Sequence, residues 1–198
     1  QRSLVGSEMC IRDRMRSIYK LVVCSLLTLS ITSCEKDLLD KEQYQKEIYL
    51  IGAYNRVWTT EVSYSNEEVK TYFTVSSSGT LALDRDVNVK MKINEELVDI
   101  YNKKYWTVLN EDKYYKSLDT DLYSIPSLEN TVIKHAEGIS AEVPVLIKTA
   151  SLKIDQSYVI PVEIESTTGY PISTSGCKML VLLKLKNDYS GNYPVSYT

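Results

Sequence analysis

Residues 87–93 alternate strictly between apolar and polar side chains, and this pattern constrains the fold more than any other feature of the sequence. Val87, Val89, Met91 and Ile93 would point to one side, and the Asn and Lys side chains between them to the other. Such period-two alternation is typical of a strand with one buried and one solvated face. Other β-rich runs, separated by turns, lie at residues 48–51, 70–75, 131–134, 140–148, 158–164 and 178–185. About seven strands at this spacing predict an all-β fold, a two-sheet β-sandwich.

The last of these runs, at residues 178–185, is apolar on both faces, which predicts a central strand. One short helix interrupts the series after residue 93. Asn94 can cap its start, and acidic residues follow the cap while lysines end the segment. Leu97, Ile100 and Tyr101 lie at i, i+3 and i+4, which places them on one apolar stripe. We therefore predict a short crossover helix between two strands.

The start of the chain carries the pattern of a secretory signal peptide over residues 15–33. Basic residues are followed by an apolar run at residues 21–31 and then by small residues before Cys34. The run is shorter than the ~20 residues that a membrane-spanning helix needs. Its I-T-S-C ending resembles a bacterial lipobox, and we predict that Cys34 is lipidated and anchors the protein to a membrane. A buried helix that contains a chance cysteine is the alternative.

Composition suggests the remaining boundaries. Residues 1–14 resemble a translated sequencing-adapter remnant, so we exclude them from the fold. Residues 34–47 are rich in charge and predict a solvated tether, with a first helical turn around residues 38–39 as the alternative. Residues 48–187 hold the predicted sandwich domain, and residues 188–198 are predicted to begin a second domain in a truncated chain.

An ordered set of segments carries a resemblance to a known family. In chain order they are residues 87–93, Leu97 with Tyr101-Asn102, Tyr114-Tyr115, residues 133–138 (IKHAEG), residues 158–162 (YVIPV) and the end of the last strand at residues 186–187. This order resembles a family of unknown-function, Ig-like domains at the N-terminus of Bacteroidetes glycan-binding lipoproteins (Sus-type) and of some endoglycosidase lipoproteins. The resemblance implies an Ig-like sandwich, an outer-membrane location and a carbohydrate context. An acidic motif directly after Cys34 resembles the signal that sends such lipoproteins to the cell exterior.

Charge and residue inventory exclude several functions. A net charge of −3 and a pI near 5.4 argue against nucleic acid as a partner. His135 is the single histidine, which excludes histidine triads and multi-histidine metal sites. Glu163 and Glu165 share one face of one predicted strand, about 7 Å apart by strand rise, whereas a glycosidase pair flanks a cleft from different elements. We therefore expect no catalytic residue, no metal and no cofactor, and we do not predict an enzyme.

Aromatic rings and nearby carboxylates are the candidates for glycan binding, because sugar C–H faces stack on rings while carboxylates bind sugar hydroxyls. These candidates are Trp58, Trp106, Tyr114, Tyr115, Asp119 and Asp121. The rings could instead cover the core or seal an end of the sandwich. Asp119 and Asp121 also begin like a calcium loop, but Tyr123 and Ser124 stand where an oxygen ligand and a glycine belong.

Together these observations predict a non-catalytic lipoprotein on the outer face of the outer membrane. It would capture oligosaccharides or polysaccharides for a utilisation system, with outer-membrane transporter components as further partners. The alternative is a structural spacer that presents a C-terminal glycan-binding or glycoside hydrolase domain. A free-standing enzyme is the third hypothesis, and the residue inventory disfavours it.

Overall fold

Ten β-strands, numbered in chain order, make up most of the described chain. The computed structural model describes residues 41–106 and 108–186. The strands are β1 (Ile48–Leu50), β2 (Val57–Ser63), β3 (Glu68–Ser77), β4 (Val87–Ile93), β5 (Lys116–Ser117), β6 (Tyr123–Ser124), β7 (Thr131–Ile133), β8 (Ser140–Lys148), β9 (Tyr158–Thr167) and β10 (Lys178–Lys186). The α-helix α1 (Glu96–Tyr105) follows β4, and short 3₁₀ turns lie at Ala53–Asn55, Val108–Lys113, Thr120–Leu122 and Thr149–Ser151. These elements belong to a compact unit that begins at Glu42.

The strands form two sheets that pack face to face as a β-sandwich. The four-stranded sheet has the order β1-β3-β8-β6, and the larger sheet has the order β2-β10-β9-β4-β7, with β5 paired to β9. The described pairs are antiparallel, except that β2 is parallel to β10 and β5 is parallel to β9. The prediction of an all-β, two-sheet sandwich is confirmed, and each of the seven predicted runs overlaps a strand. The strands β2, β5 and β6 add to that set.

The side chains between the two sheets form the main hydrophobic core. They are mostly Val, Ile and Leu, and the largest of them is Phe73 on β3, which is 1% exposed. On β4, Val87, Val89 and Met91 are buried, while the polar residues between them are exposed. The alternation seen in the sequence is therefore the alternation between core and solvent.

The first part of the chain is divided between the two sheets. β1 pairs with β3 in the smaller sheet, and β2 then pairs with β10 in the larger one. Two residues in the left-handed region make the turn between them, Gly52 at φ 90° and Arg56 at φ 62°. A Cβ atom at Gly52 would lie 2.7 Å from Cε3 of Trp58, so the indole packs where only glycine fits. The turn places Arg56 beside β10, where its carbonyl oxygen accepts a hydrogen bond from the amide of Leu180 at 2.8 Å.

The helix α1 lies on the outer face of the larger sheet and builds a second, smaller apolar layer. Val98 of the helix is buried there against Val159 of β9 and Leu180 of β10. Because side chains alternate along a strand, Leu180 faces the helix while its neighbour Val181 faces the main core. This explains why the run at residues 178–185 is apolar on both faces. The helix connects β4 to β5, and both of these strands pair with β9.

The buried face of α1 differs from the stripe predicted from the sequence. Val98 and Asn102 are buried, whereas Ile100 is 53% exposed. The amide of Asn102 explains the difference, because its Nδ2 donates to the carbonyl oxygen of Tyr115 at 2.9 Å and its Oδ1 accepts from the amide of Tyr115 at 3.0 Å. These two hydrogen bonds turn the Asn102 side of the helix inward. The predicted stripe is therefore wrong for Ile100.

The segment before β1 is described from residue 41 onward. The carboxylate of Glu42 accepts a hydrogen bond from the backbone amide of Thr80 and pairs with Lys46 at 2.7 Å. Nζ of Lys46 also donates to the carbonyl oxygen of Ala82 at 2.9 Å. Glu42 and Lys46, in the described part of the predicted tether, therefore contact the loop after β3.

Several predictions fall outside the described residues. These are the adapter remnant at 1–14, the signal peptide at 15–33, the lipidation site Cys34, the first part of the tether, and residues 188–198. The helices within the described ranges are too short or too polar to cross a bilayer. Cys177 has a free thiol and is partly buried against the main core.

Candidate functional site

Trp58 lies on β2, an edge strand of the larger sheet, just after the turn that connects β1 to β2. Val57 packs with the helix-side layer and Val62 packs in the main core. Trp58 shares a strand face with Val62, so it points toward the space between the sheets and not toward the helix. Its ring rests on Gly52, and the residue is 38% exposed. Trp58 therefore covers one edge of the core.

Trp106 follows the last residue of α1, and its indole is largely covered. Its Nε1 atom is buried and has no hydrogen-bond partner within the described ranges. Nζ of Lys113 lies 5.8 Å from the ring centre. Tyr114 is also partly buried, and its carbonyl oxygen accepts a hydrogen bond from the side chain of Gln156 at 3.5 Å. Neither side chain offers a wide exposed ring on which a sugar could stack.

Asp119 and Asp121 lie in the connection from β5 to β6, which crosses from the larger sheet to the smaller one. Both residues are exposed, and the carbonyl oxygen of Asp121 accepts a hydrogen bond from Nζ of Lys148 at 3.3 Å. In the part of the chain that the structure describes, no group of three or more His, Cys, Asp or Glu side chains is placed to hold a metal ion. These aspartates lie beside β6, at an edge of the smaller sheet, whereas Trp58 lies on β2, at an edge of the larger sheet.

The titratable side chains considered for catalysis take part in surface pairs. Nδ1 of His135 and Oδ1 of Asp86 are 2.6 Å apart, and this hydrogen bond holds the pKa of Asp86 below its usual value. Glu165 pairs with Lys90 at 2.7 Å, and Glu163 is also in an ion pair with a lysine. Glu163 and Glu165 are thus held by separate cations on one strand, which is a structural arrangement and not the two walls of a cleft.

Three tyrosine rings form a continuous stack along one side of α1. Tyr101 lies parallel to Tyr115, with ring centres 5.2 Å apart and an interplanar angle of 11°. Tyr105, one helical turn further along, is 4.5 Å from Tyr101 and 49% exposed. Burial, together with the neighbouring Tyr115, raises the pKa of Tyr101 to about 12. The stack therefore runs from a ring anchored beside Asn102 to a ring that is half open to solvent.

An open groove lies between α1 and β10, beside this stack. We call it the α1 groove. Its lining residues are Arg56, Leu97, Ile100, Tyr101, Lys104, Tyr105, Lys178, Met179 and Leu180. The floor is mainly apolar, and Nζ of Lys104 lies 5.3 Å from the ring centre of Tyr105. Among the described surfaces, this groove combines an accessible aromatic ring, aliphatic contacts and cations.

The structure brings only Tyr115 of the six sequence candidates into contact with this stack. Tyr105 and Lys104 were not among the binding candidates predicted from the sequence, because the i, i+4 pattern assigned the apolar residues of the helix to the core. A local signal for them was present, since Tyr101 and Tyr105 are four residues apart and must lie on one side of a helix. Arg56 gave no such signal, because its place in the groove depends on the turn between β1 and β2.

Comparison with known proteins identifies relatives of this sandwich. A family model for an N-terminal domain matches residues 44–171, which run from just before β1 to the turn that precedes β10. No curated protein matches the sequence.

Solved structures from Bacteroides share the fold. A multidomain protein from Bacteroides ovatus that includes DUF1735 is 20% identical, with a TM-score of 0.56, and the match covers 69% of this chain and 43% of that one. A candidate carbohydrate-binding protein from Bacteroides ovatus ATCC 8483 is 20% identical, with a TM-score of 0.50 and coverage of 70% and 36%. EndoBT-3987 from Bacteroides thetaiotaomicron, solved with a Man5GlcNAc product, is 19% identical, with a TM-score of 0.51 and coverage of 70% and 30%. The chain thus spans less than half the length of each of these structures.

Proposed function

The chain belongs to the family of N-terminal domains whose model covers residues 44–171, a Bacteroidetes family of unknown function, and we propose that it binds glycans without catalysis at the cell surface. The α1 groove is the observation on which this proposal rests. A pyranose ring presents an apolar C–H face with hydroxyl groups around its rim, and a tyrosine offers an apolar ring with a hydroxyl at its end. Tyr105 exposes such a ring at the mouth of the groove.

The stack behind Tyr105 supports a binding role. Tyr101 and Tyr115 pack against one another and leave Tyr105 in contact with only one of them. A ring that is already held in place loses little conformational freedom when a ligand stacks on it, so less of the contact energy is consumed by ordering. The arrangement therefore favours ligand binding more than an isolated surface tyrosine would.

Two of the similar structures are consistent with a glycan ligand. One is a candidate carbohydrate-binding protein, and the other is an endoglycosidase solved with its Man5GlcNAc product. Neither resemblance transfers a catalytic group, and the paired carboxylates Glu163 and Glu165 are engaged with lysines. We therefore assign capture, not hydrolysis, to this chain.

The proposal is tested by screening the full chain on a glycan array and titrating the best ligand by calorimetry. Replacing Tyr105 by Ala should weaken binding about tenfold, because one stacked ring contributes roughly this much. Tyr72→Ala is the matched control, since Tyr72 is also 49% exposed but lies on β3 in the other sheet. The proposal fails if no glycan binds, or if Tyr105→Ala and Tyr72→Ala bind as the unaltered chain does.

The proposed location depends on Cys34 and on the acidic residues after it. We propose that lipidation of Cys34 anchors the protein to the outer membrane, facing the cell exterior. Expression of Cys34→Ala in a Bacteroides host should move the protein from the membrane fraction to the soluble fraction. Protease added to intact cells should digest the unaltered protein. A variant that stays with the membrane would contradict the anchor, and protection from protease would contradict the outward orientation.

A spacer role is the second candidate, and the length of the similar structures favours it. The chain spans 43% of the Bacteroides ovatus multidomain protein and 30% of the endoglycosidase. In that case the sandwich would present a further glycan-binding or hydrolase domain, and contacts with transporter components would involve the whole protein. Sequencing the source DNA past the codon for Thr198 decides between the two when it is combined with the array. A reading frame that continues past Thr198, together with no glycan binding at the α1 groove, would establish the spacer role.

A further inference from the structure

We infer that the α1 groove selects acidic glycans, whose sugars carry a carboxylate or a sulfate group. This inference rests on the proposed glycan-binding function and adds the chemical class of the ligand. It depends on the cations around the groove and on how they are held.

Three cationic side chains line the α1 groove, and the lining contains no carboxylate. Lys178 is paired with Glu163 at 3.2 Å. Within residues 41–106 and 108–186, Arg56 and Lys104 have no acidic partner. The chain as a whole carries a net charge of −3, so this concentration of positive charge runs against the overall balance. An anionic ligand would supply the missing partners.

Arg56 is anchored through its backbone at both ends. Its amide donates to the carbonyl oxygen of Ala53 at 2.8 Å, and its own carbonyl oxygen accepts from Leu180 at 2.8 Å. The backbone of Arg56 lies in the left-handed region at φ 62°, a conformation that is uncommon for residues other than glycine and asparagine. The guanidinium therefore extends from a fixed point beside β10. A guanidinium group binds the two oxygens of a carboxylate or sulfate with paired hydrogen bonds.

The apolar and cationic parts of the groove suit the two parts of an acidic sugar. Tyr105 and Ile100 are about half exposed and provide a surface for the C–H face of the ring. Lys104 lies within 5.3 Å of the centre of the Tyr105 ring, so its ammonium group is within reach of a charged substituent on a sugar stacked there. A neutral glycan would use the ring contacts and leave Arg56 and Lys104 without anionic partners.

The test uses two pairs of glycans that differ only in charge. Hexagalacturonate is compared with its methyl ester, and a carrageenan oligosaccharide is compared with its desulfated form, each titrated against the full chain. The charged member of at least one pair should bind about tenfold more tightly at low salt, and this preference should shrink as ionic strength rises. Carboxylate and sulfate preferences are distinguished by which pair shows the difference.

Substitutions on the helix provide the second arm. Lys104→Gln should reduce affinity for the preferred acidic glycan about fivefold and should reduce affinity for its neutral counterpart clearly less. Lys103→Gln is the matched control, because this neighbouring exposed lysine does not line the groove. Arg56→Gln should act in the same direction as Lys104→Gln.

The outcomes separate this inference from the function on which it rests. Equal affinity for charged and neutral glycans, with loss of both in Tyr105→Ala, would overturn the acidic class and retain glycan binding. Equal effects of Lys103→Gln and Lys104→Gln would also overturn it, because the charge would then act from anywhere on the surface. Failure of every glycan to bind would remove both proposals.

Discussion

The two faces of the larger sheet support apolar layers of very different construction. The face toward the smaller sheet packs into the main core, where aliphatic side chains and Phe73 are almost fully buried. On the face toward α1, the buried apolar cluster of the described residues consists of Val98, Val159 and Leu180, and partly buried side chains that include tyrosines surround it. The same strands, β9 and β10, serve both layers by alternation. The comparison indicates that stability is concentrated between the sheets, while the helix side retains accessible surface that a ligand can use.

Truncating the centre of the main core should have the largest effect. Phe73→Ala would leave a cavity between the sheets, and we expect a loss of about 3–5 kcal/mol in the free energy of unfolding, measured by urea denaturation. Phe73→Leu should cost much less, because it keeps most of the buried volume. If Phe73→Ala costs no more than a truncation on the helix side, the two layers do not differ as described.

Releasing the helix should have an intermediate effect. Asn102→Ala would leave the amide and the carbonyl oxygen of Tyr115 without their partner, and we expect a cost of about 1–3 kcal/mol by the same denaturation experiment. Binding at the α1 groove should fall as well, since Tyr115 ends the stack that holds Tyr105.

Asn102→Asp provides the control for that experiment. It keeps the acceptor for the amide of Tyr115 but places a buried carboxylate against the carbonyl oxygen of Tyr115, so near neutral pH it should destabilise the chain at least as much as Asn102→Ala. Loss of stability without loss of binding would show that the stack does not depend on the helix position.

Lowering the pH should destabilise the start of α1 and leave the main core unchanged. We expect this effect to be smaller than those of the two substitutions above. Partial burial tends to raise the pKa of Glu163, but hydrogen bonds from Asn94 and Lys178 outweigh it and lower the pKa overall. The stabilising contribution of ionised Glu163 to the folded state is therefore complete above its ordinary pKa of 4.5. This contribution is lost as the pH falls through the lowered pKa. Because Oδ1 of Asn94 accepts from the amide of Glu96, protonation should loosen the start of α1.

Hydrogen exchange measured from pH 5 downward resolves this difference by position. The amides of Glu96 and Leu97 should lose protection before that of Phe73, because the main core is apolar and carries no group that titrates in this range. Glu163→Gln should flatten the change at the helix start. Parallel loss of protection in both layers would contradict the comparison.

The strands that alternate between apolar and polar residues were predictable, because core and solvent impose that period directly on the sequence. The strand β2 was not, since VWTTEVS shows no clean alternation and its place depends on a parallel pairing with β10 that lies far away in the chain. The orientation of α1 could not be predicted from the apolar pattern either, because the two hydrogen bonds of Asn102 to Tyr115 outweigh the apolar stripe that ends at Tyr101.

The candidate site was predictable only in its chemistry. Aromatic residues near the helix and its following loop were among the sequence candidates, but which rings are open depends on rotation of the helix. Tyr115 was selected and lies at the inner end of the stack, while Tyr105 at the outer end was not selected. Trp58 looked like a surface ring and proved to cover a glycine at the core edge.

The parallel pairing of β2 with β10 has a mechanical consequence. The chain enters β2 at one end of this pair and leaves β10 at the other, and the register runs from Val57 opposite Leu180 to Ser63 opposite Lys186. A pull applied before β2 and after β10 therefore slides the two strands along each other, so that all hydrogen bonds between them are loaded together and none can open first. A domain with this geometry resists tension that is applied between the start of β2 and the end of β10.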